Sequence, residues 1–258
     1  MKLYVIRHGQ TDYNAERRFQ GQANIPLNDV GRDQARRAGL VLGQLLQSSN
    51  KNKTSDSGVQ TQGNRNETFQ FNLISSDLER TRETTSIVCQ QLETHISGST
   101  VSIAYDSRLR EFHCGLFENH TYEEFVVKNE EIATGYLKSF DQDTYATRYP
   151  GPGGESRLDV MERVGYALKD SHEKHFGHDL IWVVHGGVID VLMELMHIQT
   201  QKPNVHRIAA GNGDVLVFSR TEKKETISDV SVRLGHSHVW QLDRHYPIGN
   251  AIAARVVR

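Results

Sequence analysis

The chain has 258 residues, with 30 Lys and Arg against 32 Asp and Glu, a net charge of −2 and a pI near 6.7. That balance excludes the broad basic field on which nucleic-acid and membrane-surface binders rely, and it leaves room for a local cationic pocket. One or two domains can form at this length, but a hydrophobic share of 37% is low for a globular protein, so some segment dilutes it. Two cysteines, Cys89 and Cys114, supply neither a disulfide framework nor a cysteine-rich zinc site, so a reducing, cytoplasmic setting is the simpler expectation. No apolar run approaches the roughly 18 residues of a membrane span. Met1 to Ile6 is too short for a signal segment.

Leu3 to Ile6 is apolar and β-prone and stops at Arg7-His8-Gly9, the pattern of a buried strand ending in a turn. Asn28 or Asp29 is expected to cap a helix carrying Ala35, Ala38, Leu42, Leu45 and Leu46 on one side. From Ser48 to Gln70 the chain is crowded with Ser, Asn, Lys, Thr, Gln and Gly, and burial cannot offset the entropy of ordering it. This stretch, 48–70, is the expected diluting segment, a disordered insertion within a single domain over 1–258. Phe71 to Ile74 reads as the second strand, Leu78 to Leu92 as a helix and Val101 to Tyr105 as a short strand. Residues 106–154 read as irregular. A helix is predicted over Glu155–Phe176, a strongly apolar strand over Leu180–Val184 ending at His185-Gly186-Gly187, and a helix over Val188–Met196. Late strands are expected at Val215–Phe218, Ile227–Leu234 and Val239–Leu242. Alternating strands and helices predict an α/β fold, a three-layer sandwich with a mostly parallel central sheet flanked by helices.

Two strands end in a histidine followed by glycine. Ligands of open α/β sheets bind beyond the carboxyl ends of strands, so His8 and His185 share one crevice if their strands are neighbours. A third strand end leads into Ser75-Ser76-Asp77-Leu78-Glu79-Arg80, with Arg80 in the first turn of the next helix. Arg7, Arg80, two imidazoles and a helix N-terminus around one point make an oxyanion site, and the fork-shaped arginine donors favour phosphate.

Arg7-His8-Gly9-Gln10-Thr11 with Asn14, followed by Arg18-Phe19-Gln20-Gly21, resembles the signature of the histidine phosphatase superfamily, the phosphoglycerate mutase-like clan. The likeness continues in order through Pro26-Leu27-Asn28-Asp29-Val30-Gly31, Ser75 to Thr81, Leu109-Arg110-Glu111, Gly153-Gly154-Glu155-Ser156 and Val184-His185-Gly186-Gly187. The resemblance implies that His8 attacks phosphorus and becomes a phosphohistidine, which requires a neutral, oriented imidazole. It further implies that Arg7, Arg80 and His185 hold the nonbridging oxygens, with Asn14 as a neutral donor and no metal or cofactor needed. Glu111 matches the residue that protonates the leaving alkoxide; alternatively it pairs with Arg108 or Arg110. Gln20 and Gly21 either line the phosphate loop or form a plain turn, and Gly186 follows His185 at the substrate side. Gly153-Gly154-Glu155-Ser156 enters and caps a helix, and Glu118 is a weaker candidate for supporting the site. His172 and His175 share a helix face but lack a carboxylate or cysteine cluster, so a solvated helix end is the expectation there.

The expected substrate is a small phosphorylated metabolite. After Glu111 the chain reads Phe112-His113-Cys114-Gly115-Leu116-Phe117-Glu118, without the basic enrichment of the mutases in the clan, which favours hydrolysis. A 2,3-bisphosphoglycerate-dependent mutase and an idle phospho-ligand-binding module are the alternatives. Substrate contacts are expected from 106–154, where Tyr122, Phe125, Tyr136, Lys138, Tyr145, Arg148 and Tyr149 offer aromatic and cationic groups. Nothing in the sequence sets the oligomeric state.

Overall fold

The structure is a computed structural model that describes residues 1–55, 69–196, 210–221 and 239–248. Six strands form one sheet in the order β3-β2-β4-β1-β5-β6: β1 Lys2–Arg7, β2 Phe69–Ser75, β3 Ser99–Tyr105, β4 Leu180–Val184, β5 Val215–Thr221 and β6 Val239–Tyr246. β3, β2, β4 and β1 pair in parallel, and β5 runs against both β1 and β6. β5 is therefore the one reversed strand among these six.

The two-residue period of the strands sorts their side chains into two cores. Leu3, Val5, Trp182, Val184, Leu216 and Phe218 pack against α6 (Arg157–Lys174) and α7 (Gly186–Leu195). Tyr4, Ile6, Leu73, Ile181, Val183 and Val217 face the other way, toward α2 (Asp29–Ser55) and α3 (Glu79–His95). β4 lies between β2 and β1 and is buried at all five positions, which accounts for its unbroken apolar run. The expected three-layer α/β sandwich is the observed one.

The elements differ from the sequence reading in several places. α2 continues to Ser55 and β2 begins at Phe69, so the two ends of the 48–70 stretch are helix and strand; residues 56–68 lie outside the described residues. A helix already anchored by Ala38, Leu42 and Leu46 propagates into polar sequence because each added residue gains a backbone hydrogen bond. The 106–154 region is not irregular. It holds 3-10 turns at Ser107–Leu109 and Gly115–Phe117 and two helices, α4 (Tyr122–Lys128) and α5 (Glu130–Gln142). α4 starts with a reciprocal capping box between Thr121 and Glu124. A short α1 (Asp12–Ala15) follows β1. The strand expected at Ile227–Leu234 and most of the C-terminal segment fall outside the described residues. Among the described residues no helix is long and apolar enough to cross a membrane.

Candidate active site

β1 and β4 are direct neighbours, with Arg7 opposite Val184, so the next residue of each strand, His8 and His185, emerges at the same edge. The backbone continues the pairing one step further: His8 N–H donates to the Val184 carbonyl at 3.0 Å and Ser76 N–H to that of Val183 at 3.0 Å. The two imidazole centroids lie 5.1 Å apart. His8 Nδ1 sits 2.7 Å from the Gly9 carbonyl oxygen. A carbonyl only accepts, so the proton is on Nδ1 and the lone pair is on Nε2. Burial, then the charges of Arg80 and Arg7, hold the His8 imidazole well below the ordinary value of 6.5, which keeps it neutral. Burial and then Arg80 act on His185 in the same direction. His185 is fully buried, bonds Ser76 Oγ through Nε2 at 2.8 Å, and stands behind His8 rather than on the pocket surface.

Arg80 is buried, its guanidinium held by the carbonyls of Ala23 and Gly21 at 2.8 Å each. Burial pulls its pKa down to about 10, so it remains a cation at neutral pH. Its Nε and that of Arg7 are buried without a hydrogen-bond partner among the described residues. The loop that accepts from Arg80 turns at Gly21, where φ is +52° and a Cβ would sit 1.9 Å from Glu118 Oε1, so only glycine fits. Glu118 in turn accepts from the amides of Gln22 and Cys114, which gives it a supporting position under this loop. Gln20 is buried and accepts the Thr11 hydroxyl at 2.9 Å. Asn14 accepts through Oδ1 from Thr11 and from Asn212, leaving its Nδ2 donor to the pocket it lines.

Glu111 does not pair with its neighbours. Arg110 is engaged bidentately by Asp77 and Arg108 by Asp106 and Asp170. The Glu111 carboxylate instead accepts from the amides of Phe112 at 2.9 Å and Gly187 at 3.1 Å. Gly187 is required by that approach, since a Cβ there would lie 2.3 Å from Glu111 Oε1. Gly186 backs onto Arg7 rather than the pocket, 3.2 Å separating an added Cβ from the guanidinium carbon. Arg163 clamps the segment from behind, donating to the carbonyls of Arg108, Arg110 and Glu111 and pairing with Glu155. Ser156 caps α6 through a capping box with Asp159, as the sequence suggested. Glu155 both lines the pocket and accepts the His113 amide.

A cavity of about 390 Å³ opens over these groups. Arg7, His8, Asn14, Gln20, Gly21, Arg80, Glu111 and Gly187 line its inner part, so seven of the nine residues singled out from sequence converge there and His185 and Gly186 back them. Of the aromatic and cationic residues expected to contact substrate, Tyr136 and Tyr149 line it; Tyr122, Phe125, Lys138, Tyr145 and Arg148 do not. Phe125 is core, stacked on Phe117, and Arg148 pairs with Asp159. The 210–214 turn was missed. Its Asn212 donates to the carbonyls of His8 and Gly9, its Gly213 amide reaches the carbonyls of Arg7 and His8, and Asp214 O accepts the Arg7 amide. Asp214 itself is fixed by His245, Ile248 and Gly211; burial alone would raise its pKa, and these hydrogen bonds outweigh that and hold it low. The signal for this turn was Gly211-Asn212-Gly213-Asp214 immediately before an apolar strand. Among the described residues no group of three or more His, Cys, Asp or Glu side chains is arranged to hold a metal ion; His172 instead bonds Arg220.

A largely parallel sheet with two arginines and a neutral imidazole gathered beyond its strand ends defines an α/β protein built to bind an oxyanion. The sequence model of the histidine phosphatase superfamily (branch 1) matches residues 3–51 and 60–233, and the chain belongs to that superfamily of phosphatase- and mutase-type enzymes. It is 33% identical over 196 residues to phosphoglycerate mutase-like protein 4 of Arabidopsis thaliana, spanning 75% of this chain and 70% of that protein. Its fold is similar to the solved structure of mycobacterial glucosyl-3-phosphoglycerate phosphatase in complex with VO3, with 26% identity, a TM-score of 0.61 and coverage of 94% of this chain and 97% of the other. Bacillus stearothermophilus YhfR is similar as well, at 25% identity and TM-score 0.60 over 84% of this chain and 90% of that one.

Proposed function

We propose that this protein is a phosphomonoesterase that hydrolyses a small phosphorylated metabolite through a phosphohistidine on His8. The observation that carries the reading is the 2.7 Å contact between His8 Nδ1 and the Gly9 carbonyl, which leaves the Nε2 lone pair as the nucleophile in a pocket shared with two arginines. Nε2 attacks phosphorus as the P–O bond to the alcohol breaks. Arg7, Arg80 and the Asn14 amide hold the nonbridging oxygens while charge shifts toward the leaving group. Glu111, carrying a proton at that moment, delivers it to the departing alkoxide and then takes one from the water that attacks the phosphohistidine. His185 acts as a positioning residue, its ring packed on His8 and tied to Ser76.

Similarity to a mycobacterial phosphatase supports hydrolysis, as does the chain after Glu111, where Phe112 and Cys114 line the pocket. The reading takes residues 1–258 as one domain and the setting as cytoplasmic, with Cys89 and Cys114 both free and buried. The name of the Arabidopsis relative favours a mutase as the second reading. The test is an alkaline denaturing quench during turnover, followed by mass spectrometry. A phosphoryl adduct on the peptide containing His8, absent in His8→Ala, is the expected result, together with net phosphate release. Turnover without that adduct would contradict the mechanism. Interconversion of phosphoglycerates exceeding phosphate release would favour the mutase.

A further inference from the structure

Asn212 does not line the cavity, yet its side-chain amide touches three groups that shape it. Nδ2 donates to the His8 carbonyl at 3.1 Å, to Asn14 Oδ1 at 3.2 Å and to the Gly9 carbonyl at 3.4 Å. Each of these is an acceptor. The two backbone carbonyls have no proton to give, and Asn14 must turn its oxygen this way because the Thr11 amide donates to the same atom at 3.1 Å. The network therefore reads in one sense only: an NH2 group at Asn212, the Asn14 oxygen facing it, and the Asn14 NH2 left for the cavity. The Gly9 carbonyl is also the acceptor for His8 Nδ1 at 2.7 Å, the contact that puts the His8 proton on Nδ1. One amide thus meets both the carbonyl that sets the His8 tautomer and the side chain that faces the phosphate site.

The turn that carries this amide is itself pinned. Gly213 has φ +81°, and a Cβ there would lie 2.8 Å from Gln34 Cβ, so the turn approaches α2 this closely only as glycine. Asp214 closes it by accepting the Gly211 amide at 2.6 Å, and anchors it to the end of β6 by accepting from His245 Nε2 at 2.7 Å and the Ile248 amide at 2.8 Å. Resting on the phosphohistidine reading above, we propose that Asn212 is a positioning residue for phosphoryl transfer: its NH2 group holds the Gly9 carbonyl against His8 Nδ1 and turns the Asn14 amide toward the phosphate. Without that donor, the three acceptor oxygens face one another with nothing between them.

Two variants of the 258-residue chain test this. Asn212→Ala removes the donor, and Asn212→Asp keeps the shape but replaces the donor with a further acceptor. Long-range 1H–15N spectra of the resting protein, with His8 assigned by its absence in His8→Ala, should show the proton on Nδ1 in the unaltered protein and a shift toward Nε2 in both variants. With p-nitrophenyl phosphate, whose leaving group needs no proton, kcat/KM should fall about a hundredfold in each. Inorganic phosphate should bind Asn212→Ala no more than about tenfold weaker, the loss of one neutral hydrogen bond. A proton on Nε2 in the unaltered protein, an unchanged tautomer in the variants that fold, or a shifted tautomer with kcat/KM within about twofold would each overturn the proposal. The phosphohistidine reading is judged separately by the quench described above: a shifted tautomer without any His8 adduct in the unaltered protein overturns that reading and supports the hold of Asn212 on His8.

Discussion

The proposed nucleophile has to remain uncharged among cations, and at His8 the burial that excludes water and the charges of Arg80 and Arg7 both work toward that end. The arrangement has a consequence for stability. In the folded protein His8 and His185 lie well below 6.5, while in the unfolded chain each titrates near that value. Between those limits the unfolded chain takes up protons that the folded one refuses, so stability is full above about pH 6.5 and declines as pH falls toward the folded values. The carboxylates held low by their partners, Asp77, Asp159 and Asp214, add their loss only at more acidic pH. Urea midpoints should therefore drop between about pH 7.5 and about pH 5, and less so in His8→Ala, where one of the two histidines is gone. Unchanged midpoints would count against neutral buried imidazoles. At this scale the sequence was highly informative, because Arg7, His8, Arg80 and Glu111 each sit at the end of a strand or in a turn with a strong local pattern. Asn212 and Asp214 were not legible. They reach residues 7–9 and Asn14, about two hundred residues away in sequence, and no local period marks such a contact.

Elements bring the site together by close approach. The amide of Gly187 at the start of α7 touches Glu111 from a different segment, and the fit leaves no room for a side chain. Gly187→Ala would drive its methyl into the Glu111 carboxylate and the Phe112 ring, 2.3 and 2.7 Å away. We expect a loss of about 1–3 kcal/mol in stability from overpacking. We also expect a fall in kcat larger than any rise in KM, because the carboxylate proposed to protonate the leaving group moves; thermal melts and steady-state kinetics check both. Element boundaries show where sequence patterns fail. α4 carried a readable Thr121–Glu124 capping box, but α5 follows an N-cap, Asn129, that makes no side-chain cap and buries little beyond Ala133 and its aromatic contacts, so neither composition nor capping announced it. Its Tyr136 gains order from stacking on Tyr149, a tertiary contact. The end of α2 was misplaced for the opposite reason: its polar last turns are carried by the helix before them.

Across the whole molecule the sheet separates two cores that share every central strand, Tyr4 and Ile6 pointing to one and Leu3 and Val5 to the other. Damage on one side should therefore be felt on both. Trp182 and Trp240 belong to the core of α6 and α7, whereas Leu42 is fully buried in the core of α2 and α3. Leu42→Ala should cost about 2–5 kcal/mol and lower the denaturation midpoint read from tryptophan fluorescence as much as that read from far-ultraviolet circular dichroism. A shift confined to the dichroism signal would mean that the two layers unfold separately. The mostly parallel α/β sheet was readable from alternation alone, while the order of its strands and the reversal of β5 were not, since an apolar strand reads the same in either direction.

That reversal carries the 210–214 turn to the end of the sheet where His8 lies and where the buried Nε atoms of Arg7 and Arg80 have no partner among the described residues. On the proposed reading the same donors would hold inorganic phosphate, the hydrolysis product, so it is expected to compete with incoming ester. Phosphate at about a hundred times its Kd would stabilise the fold by about 2.7 kcal/mol. For a protein of this size that corresponds to a rise in Tm of about 5–10 °C, accompanied by competitive inhibition of ester hydrolysis. On that reading the protein would slow itself as phosphate accumulates, a brake set by the same two guanidinium groups proposed to hold the ester.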